Sequence, residues 1–196
     1  MQTLEKLPFV GGHPALDFVN TAEERGHPLC GDVLRTPEDL RAWGRRYGTL
    51  TDTATCQQPA RELARAIQAR ELLYRLCFSR VHGGKDDPDD LRQLATLHTQ
   101  ALAAAGLKSD PGDRLRWCWE DTELATVRHI AVASAVDLLT GAQLSRLKQC
   151  PGDHCGWFFL DATKRGNRRW CQMSDCGQIA KSAGRRRRAS QASTHP

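Results

Sequence analysis

The sequence of 196 residues has no apolar run long enough to cross a bilayer; its nearest approach is IAVASAV, Ile130–Val136. A spanning helix needs about 20 such residues, so none is expected. No apolar h-region follows Met1, which predicts no secretory signal and a cytoplasmic address. Enzyme signatures are also missing. There is no G-x-S-x-G, H-E-x-x-H, P-loop or G-x-G-x-x-G, and the seven histidines are dispersed. The expectation is a protein that is not an enzyme. No internal repeat is present, which excludes a solenoid.

Acidic residues are scarce at one end only. Residues 146–196 hold 11 Lys/Arg against three acids, a balance of +8, whereas residues 1–145 hold 17 against 20, a balance of −3. Two parts of opposite sign imply different partners. Four thiolates on one Zn²⁺ would leave the basic part near +6.

What is plentiful is cysteine, with eight in the chain. Without an export signal these do not read as disulfides. Cys30, Cys56, Cys77 and Cys118 are scattered singly and receive no role. The other four form two Cys-x₄-Cys pairs, Cys150/Cys155 and Cys171/Cys176, separated by fifteen residues. Each pair can bend two thiolates onto one ion, and Pro151-Gly152 supplies the first tight turn. Four sulfur ligands predict one structural Zn²⁺ in a closed tetrahedral site. His154 is an alternate ligand. A redox pair would need Cys-x-x-Cys beside a βαβ pattern, which is absent.

Helical patterns fill the first 145 residues. TPEDLRAWGRRYG reads as an N-cap at Thr36, Pro37 in the first position, an apolar face of Leu40, Trp43 and Tyr47, and a stop at Gly48. Helices follow over about 60–81 and from Asp87-Pro88, and another starts at Asp121 or Thr122 and ends at Gly141. Leu115, Trp117 and Trp119 alternate as a short strand. Ala15–Val19 fits a strand or a helical turn equally well. In the cluster, Trp157–Leu160 reads as a strand, KRGNRR as a hairpin tip and Trp170 as the return strand. Ser174 or Asp175 would cap a helix with Cys176 in its first turn. The predicted fold is mainly α with minor β (α+β): a multihelical domain over residues 1–145, a Cys₄ subdomain over 146–188 and a disordered tail over 189–196. A subdomain this short, with one Trp-Phe-Phe cluster, needs its ion to stay folded.

Positive charge surrounds the cluster. Lys164, Arg165, Arg168 and Arg169 occupy the predicted tip, and Lys181, Arg185, Arg186, Arg187 and Arg188 the terminal helix. Metal-anchored basic helices present charge to phosphate backbones, which predicts nucleic-acid binding. A finger that contacts protein without sequence-specific DNA binding is the alternative, and an enzyme in the N-terminal domain is the least favoured one. In the first domain His13, Asp17 and Asn20 could line a polar ligand pocket. As turn formers, Asp17 and Asn20 more simply cap local structure.

LDFVNT (Leu16–Thr21), DLLT (Asp137–Thr140) and RLKQCPGDHCGWFFLDATKRGNRRWCQMSDCG (Arg146–Gly177) together resemble the bacterial ABATE-domain proteins that end in a CGNR zinc finger. The resemblance implies a stress-associated transcriptional regulator whose finger binds DNA and whose N-terminal domain senses a small molecule or a protein. Homodimerisation is the expectation for such a regulator. It also matches the four family metal ligands to Cys150, Cys155, Cys171 and Cys176. The naming motif departs here, reading Cys176-Gly177-Gln178-Ile179, so the family arginine is lost.

Overall fold

The computed structural model describes residues 4–22, 31–153, 155–183 and 185. Cys30, His154, Arg186, Arg187, Arg188 and the expected tail over 189–196 lie outside the described residues.

Four helices open on proline, whose fixed φ suits a first helical position and whose missing N–H costs nothing there. They are α1 (Pro14–Val19), α2 (Pro37–Tyr47), α3 (Pro59–His82) and α4 (Pro88–Ala103). Ala15–Val19 is therefore helical. Thr36 caps α2 as expected. Its Oγ1 accepts from the Asp39 N–H at 3.2 Å, while the Asp39 carboxylate accepts from the Thr36 N–H at 2.8 Å. Gly48, at φ +80°, closes the helix in the left-handed conformation that glycine adopts freely. Asp87 caps α4 through the Asp89 N–H.

β1 (Gly106–Ser109) pairs antiparallel with β2 (Leu115–Cys118). The alternation of Leu115 and Trp117 is real, but both side chains remain exposed. The next helix, α5 (Thr126–Thr140), begins later than the cap signals at Asp121 and Thr122 suggest. Those residues are engaged elsewhere. The Asp121 and Thr122 carbonyls accept from Thr51 N and Thr55 N, and Leu124 N donates to the Thr55 carbonyl. Backbone pairing with the 51–55 segment thus takes the place of a first helical turn.

α5 is apolar nearly all round and occupies the centre, against α1, α3 and α4. Its Val127, Ala131, Val132, Ala135 and Leu138 join Leu16, Phe18, Leu40, Trp43, Leu72, Leu73 and Leu76 in one core. A helix so largely buried shows little polar stripe, and its exposed positions, Asp137 and Thr140, lie near its C-terminal end. After α5 come β3 (Leu147–Gln149) and β4 (Phe158–Leu160), an antiparallel pair with Leu147 opposite Leu160. The architecture is mainly α with two small strand pairs. Among the described residues no helix is long and apolar enough to cross a membrane.

The predicted return strand at Trp170 is corrected by this pairing. Trp170 lies in a bend, and β4 takes its partner from the residues just before the first cysteine. Burial decides the matter. Phe158 and Phe159 are fully buried in the same core as α1 and α3, so β4 lies inside the molecule, where β3 and α1 can satisfy its backbone.

Candidate metal centre and nucleic-acid interface

The metal centre is assembled from two turns. In the first, Cys155 N donates to the Gly152 carbonyl at 3.1 Å, and Cys150 N donates to the Trp157 carbonyl at 2.8 Å. Gly152 suits a close approach, since a Cβ there would lie 3.2 Å from both the Cys155 Cβ and the Cys176 Sγ, tighter than an ordinary contact. In the second, Gly177 N reaches back five residues to the Gln172 carbonyl at 3.2 Å, giving a wide π-type turn over Met173–Gly177. Helical backbone continues over 178–183. The turn is flanked by Gln172 and has no side-chain cap, so the caps expected at Ser174 or Asp175 are not used. Gly177 is buried beneath Met173 and Trp170, and a Cβ would meet the Met173 sulfur at 2.5 Å.

The sulfurs of Cys150, Cys155, Cys171 and Cys176 all lie within 4.8 Å of one another. Cys155 and Cys171 are 3.5 Å apart, and Cys171 and Cys176 3.7 Å. A tetrahedral ZnS₄ unit with bonds of about 2.3 Å has sulfur–sulfur edges of about 3.8 Å. A disulfide needs about 2.05 Å. The donor set therefore fits one structural Zn²⁺ and no disulfide.

The electrostatics agree. The Cys155 and Cys171 thiols, together with the backbone N–H groups of Cys171 and Gly152, hold the Cys150 thiol well below its ordinary range. Cys155 and Cys171 are pushed up chiefly by their hydrogen bonds to Cys150. Cys176 is raised by burial first and then by the charge on Cys150. One ionised sulfur makes the next harder to ionise, and a divalent cation at the centre removes that conflict.

The basic residues divide into two sets. Arg168 turns inward. It donates to the carbonyls of Leu160 at 3.1 Å, Val10 at 2.9 Å and Trp170 at 3.1 Å, and also to that of Cys171. Its guanidinium lies 4.3 Å from the Phe159 ring centroid. These bonds engage its guanidinium with protein carbonyls, unlike the other basic residues expected at the tip. Lys148 is also internal, donating to Asp161 at 2.7 Å and to the Gly166 and Arg168 carbonyls. Lys164, Arg165, Arg169, Lys181 and Arg185 are exposed and form no ion pair among the described residues.

Asp161 organises the loop between these sets, and residue counting overlooks it. Its carboxylate accepts from Thr163 N, Thr163 Oγ1, Arg168 N and Lys148 Nζ. Burial pushes its pKa up, but Lys148 and these other donors prevail and hold it well below the carboxylate range. The Asp-x-Thr spacing at 161–163 is the signal that could have revealed it.

His13, Asp17 and Asn20 are placed around the same junction. Asp17 accepts from the Gly11 N–H at 2.8 Å and from the Tyr47 hydroxyl at 3.4 Å. Burial pushes its carboxyl up to about 6, against the pull of these donors and of Arg168. Asn20 bonds both backbone groups of Phe158. His13 Nδ1 is buried without a partner among the described residues. Asp17 and Asn20 thus join α1 to its surroundings, with their polar atoms bonded to protein.

Residues 12–142 match the ABATE family model, described as "Putative stress-induced transcription regulator". Residues 146–189 match the model of the CGNR zinc finger. A comparison with curated proteins returns no match.

Proposed function

Because the chain belongs to the ABATE family and closes on a CGNR zinc finger, we propose that it regulates transcription by binding DNA through the finger. On this reading the helical domain senses a small molecule or a protein partner, and the chain performs no chemistry of its own.

One contrast carries the proposal. Among the described residues, eight arginines of the helical domain are matched with acids, among them Arg45 with Asp52, Arg70 with Asp32, Arg75 with Asp90 and Arg128 with Glu62. The exposed cations of the finger are not. Lys164, Arg165 and Arg169 on the 161–169 loop, and Lys181 and Arg185 on the terminal segment, keep their charge for an outside partner. A polyanion releases counterions on meeting such residues, so the affinity comes with strong salt dependence.

Gel-shift titrations of the zinc-loaded chain across salt test this. Log affinity should fall linearly with log salt, and each of Arg165→Ala, Arg169→Ala and Lys181→Ala should flatten the slope by about 0.9. Unchanged slopes would reject these residues as phosphate contacts. Comparing duplex DNA with RNA in the same titration decides the nucleic acid.

A second reading draws on two exposed apolar side chains beside the metal turn, Met173 at 51% and Ile179 at 62%. Ile179 stands where the family motif has its arginine. An apolar contact there suits a protein partner, and salt-insensitive binding lost in Ile179→Asp would favour that reading.

A further inference from the structure

A cleft of about 390 Å³ opens between α3, α4 and α5, and no cysteine lines it. Ligand sites start at about 300 Å³, so it has room for a small metabolite. Arg65 and Gln68 of α3, Gln93, Leu97 and Gln100 of α4, and Arg128 of α5 form its wall, which carries no acidic side chain. The α4 residues recur at i, i+4 and i+7, one face of that helix.

The two arginines are not equivalent. Arg128 is 5% exposed, and its Nε and Nη2 donate to Glu62 at 2.7 and 3.3 Å. Its Nη1 has no protein acceptor among the described residues and is not sealed from solvent. Arg65 is half-exposed and approaches Glu62 only to 3.9 Å. Glu62 thus offsets one charge of the pair, and a positive excess remains. The side chains of Gln68, Gln93 and Gln100 make no hydrogen bond to the protein among the described residues. Free guanidinium donors among free amides, in a concavity with one aliphatic wall, suit a polar anion. They suit neither a cation nor an apolar ligand.

We infer that this cleft binds a small oxyanion, its carboxylate or phosphate group held by Arg65 and Arg128 while the glutamines contact polar groups around it. The lining helices also lead to the finger. His82, at the end of α3, bonds Gln149 of β3 at 2.7 Å, and α5 runs through residues 142–146 into β3 and Cys150. As an effector site the cleft rests on the regulator reading above; as an anion site it is tested on the protein alone.

The test is calorimetric titration of the zinc-loaded full chain with succinate and with inorganic phosphate, at constant ionic strength. Saturable binding of at least one is expected, and the arm that binds identifies carboxylate or phosphate as the source. Arg65→Gln should weaken it tenfold or more. Arg61→Gln, the same charge change on α3 but outside this cleft, should leave it within twofold. Circular dichroism confirms that both variants fold. Absence of saturable binding, binding that survives Arg65→Gln, or equal weakening by Arg61→Gln overturns the inference. Failure of DNA binding leaves these outcomes readable.

Discussion

Asn20 holds Phe158 by both of its backbone groups. The Asn20 Nδ2 donates to the Phe158 carbonyl at 2.9 Å, and its Oδ1 accepts from the Phe158 N–H at 2.9 Å, across 138 residues of chain. A side-chain amide here substitutes for a neighbouring strand and satisfies a buried edge of β4. Beside it, Leu160 N donates to the Gly11 carbonyl and Trp157 Nε1 to the Ala22 carbonyl. The finger and α1 therefore share one hydrogen-bonded seam.

Removing that clamp should destabilise the whole chain. Asn20→Ala leaves a buried N–H and a buried carbonyl unpaired, at a cost of about 2–4 kcal/mol in total. Urea denaturation should show the midpoint fall. A change below about 0.5 kcal/mol, the range of ordinary surface substitutions, would show that the clamp contributes little.

Neighbouring arginines should separate cleanly. Arg168→Ala strands several carbonyls and should cost about 3 kcal/mol of stability. Arg169→Ala should cost no more than about 0.5 kcal/mol. Only the second should flatten the salt dependence of DNA binding while the fold stays intact. Thermal melts paired with gel shifts read both effects.

Elemental analysis should find one zinc per chain. Cys171→Ser should lose it and lower the melting temperature of the entire chain, because Phe158 and Phe159 lie in the common core. Calorimetry should then show one transition shifted downward. A finger that melts separately from an unchanged main transition would contradict the shared core.

Acid sensitivity should carry two opposed signatures. Burial, with Arg128 adding to it, lowers His129 from 6.5 to about 4. The unfolded chain then binds the extra proton between those values, so His129 contributes stability above pH 6.5 that is lost as pH falls toward 4. Asp17 is raised from 3.8 to about 6, so the folded chain binds the extra proton and stability rises as pH falls through that window. His129→Gln should therefore flatten the acid-side loss relative to the parent, and Asp17→Asn should steepen it. Denaturation midpoints from pH 4 to 7 give both slopes.

Some of this was legible in the residues alone because the chemistry is local. Two Cys-x₄-Cys pairs with Pro151-Gly152 between the first two thiols specify a chelator within a few turns of chain. Thr36-Pro37 and Asp87-Pro88 mark helix starts because cap and proline act on the adjacent N–H groups. The late start of α5 was not legible, since it depends on residues 51–55 capturing the backbone of 121–124.

The sequence by itself determined the metal ligands, most helix boundaries and the segregation of charge. Only the tertiary structure decided that β4 pairs with β3, that Asn20 stands in for a strand beside Phe158, and which cations face outward. Arg168 and Arg169 are identical as letters. One lies over Phe159 among four carbonyls, and the other points to solvent beside Trp170. The physical reason is burial: a backbone group removed from water must find a partner, and that demand arises only when distant segments pack.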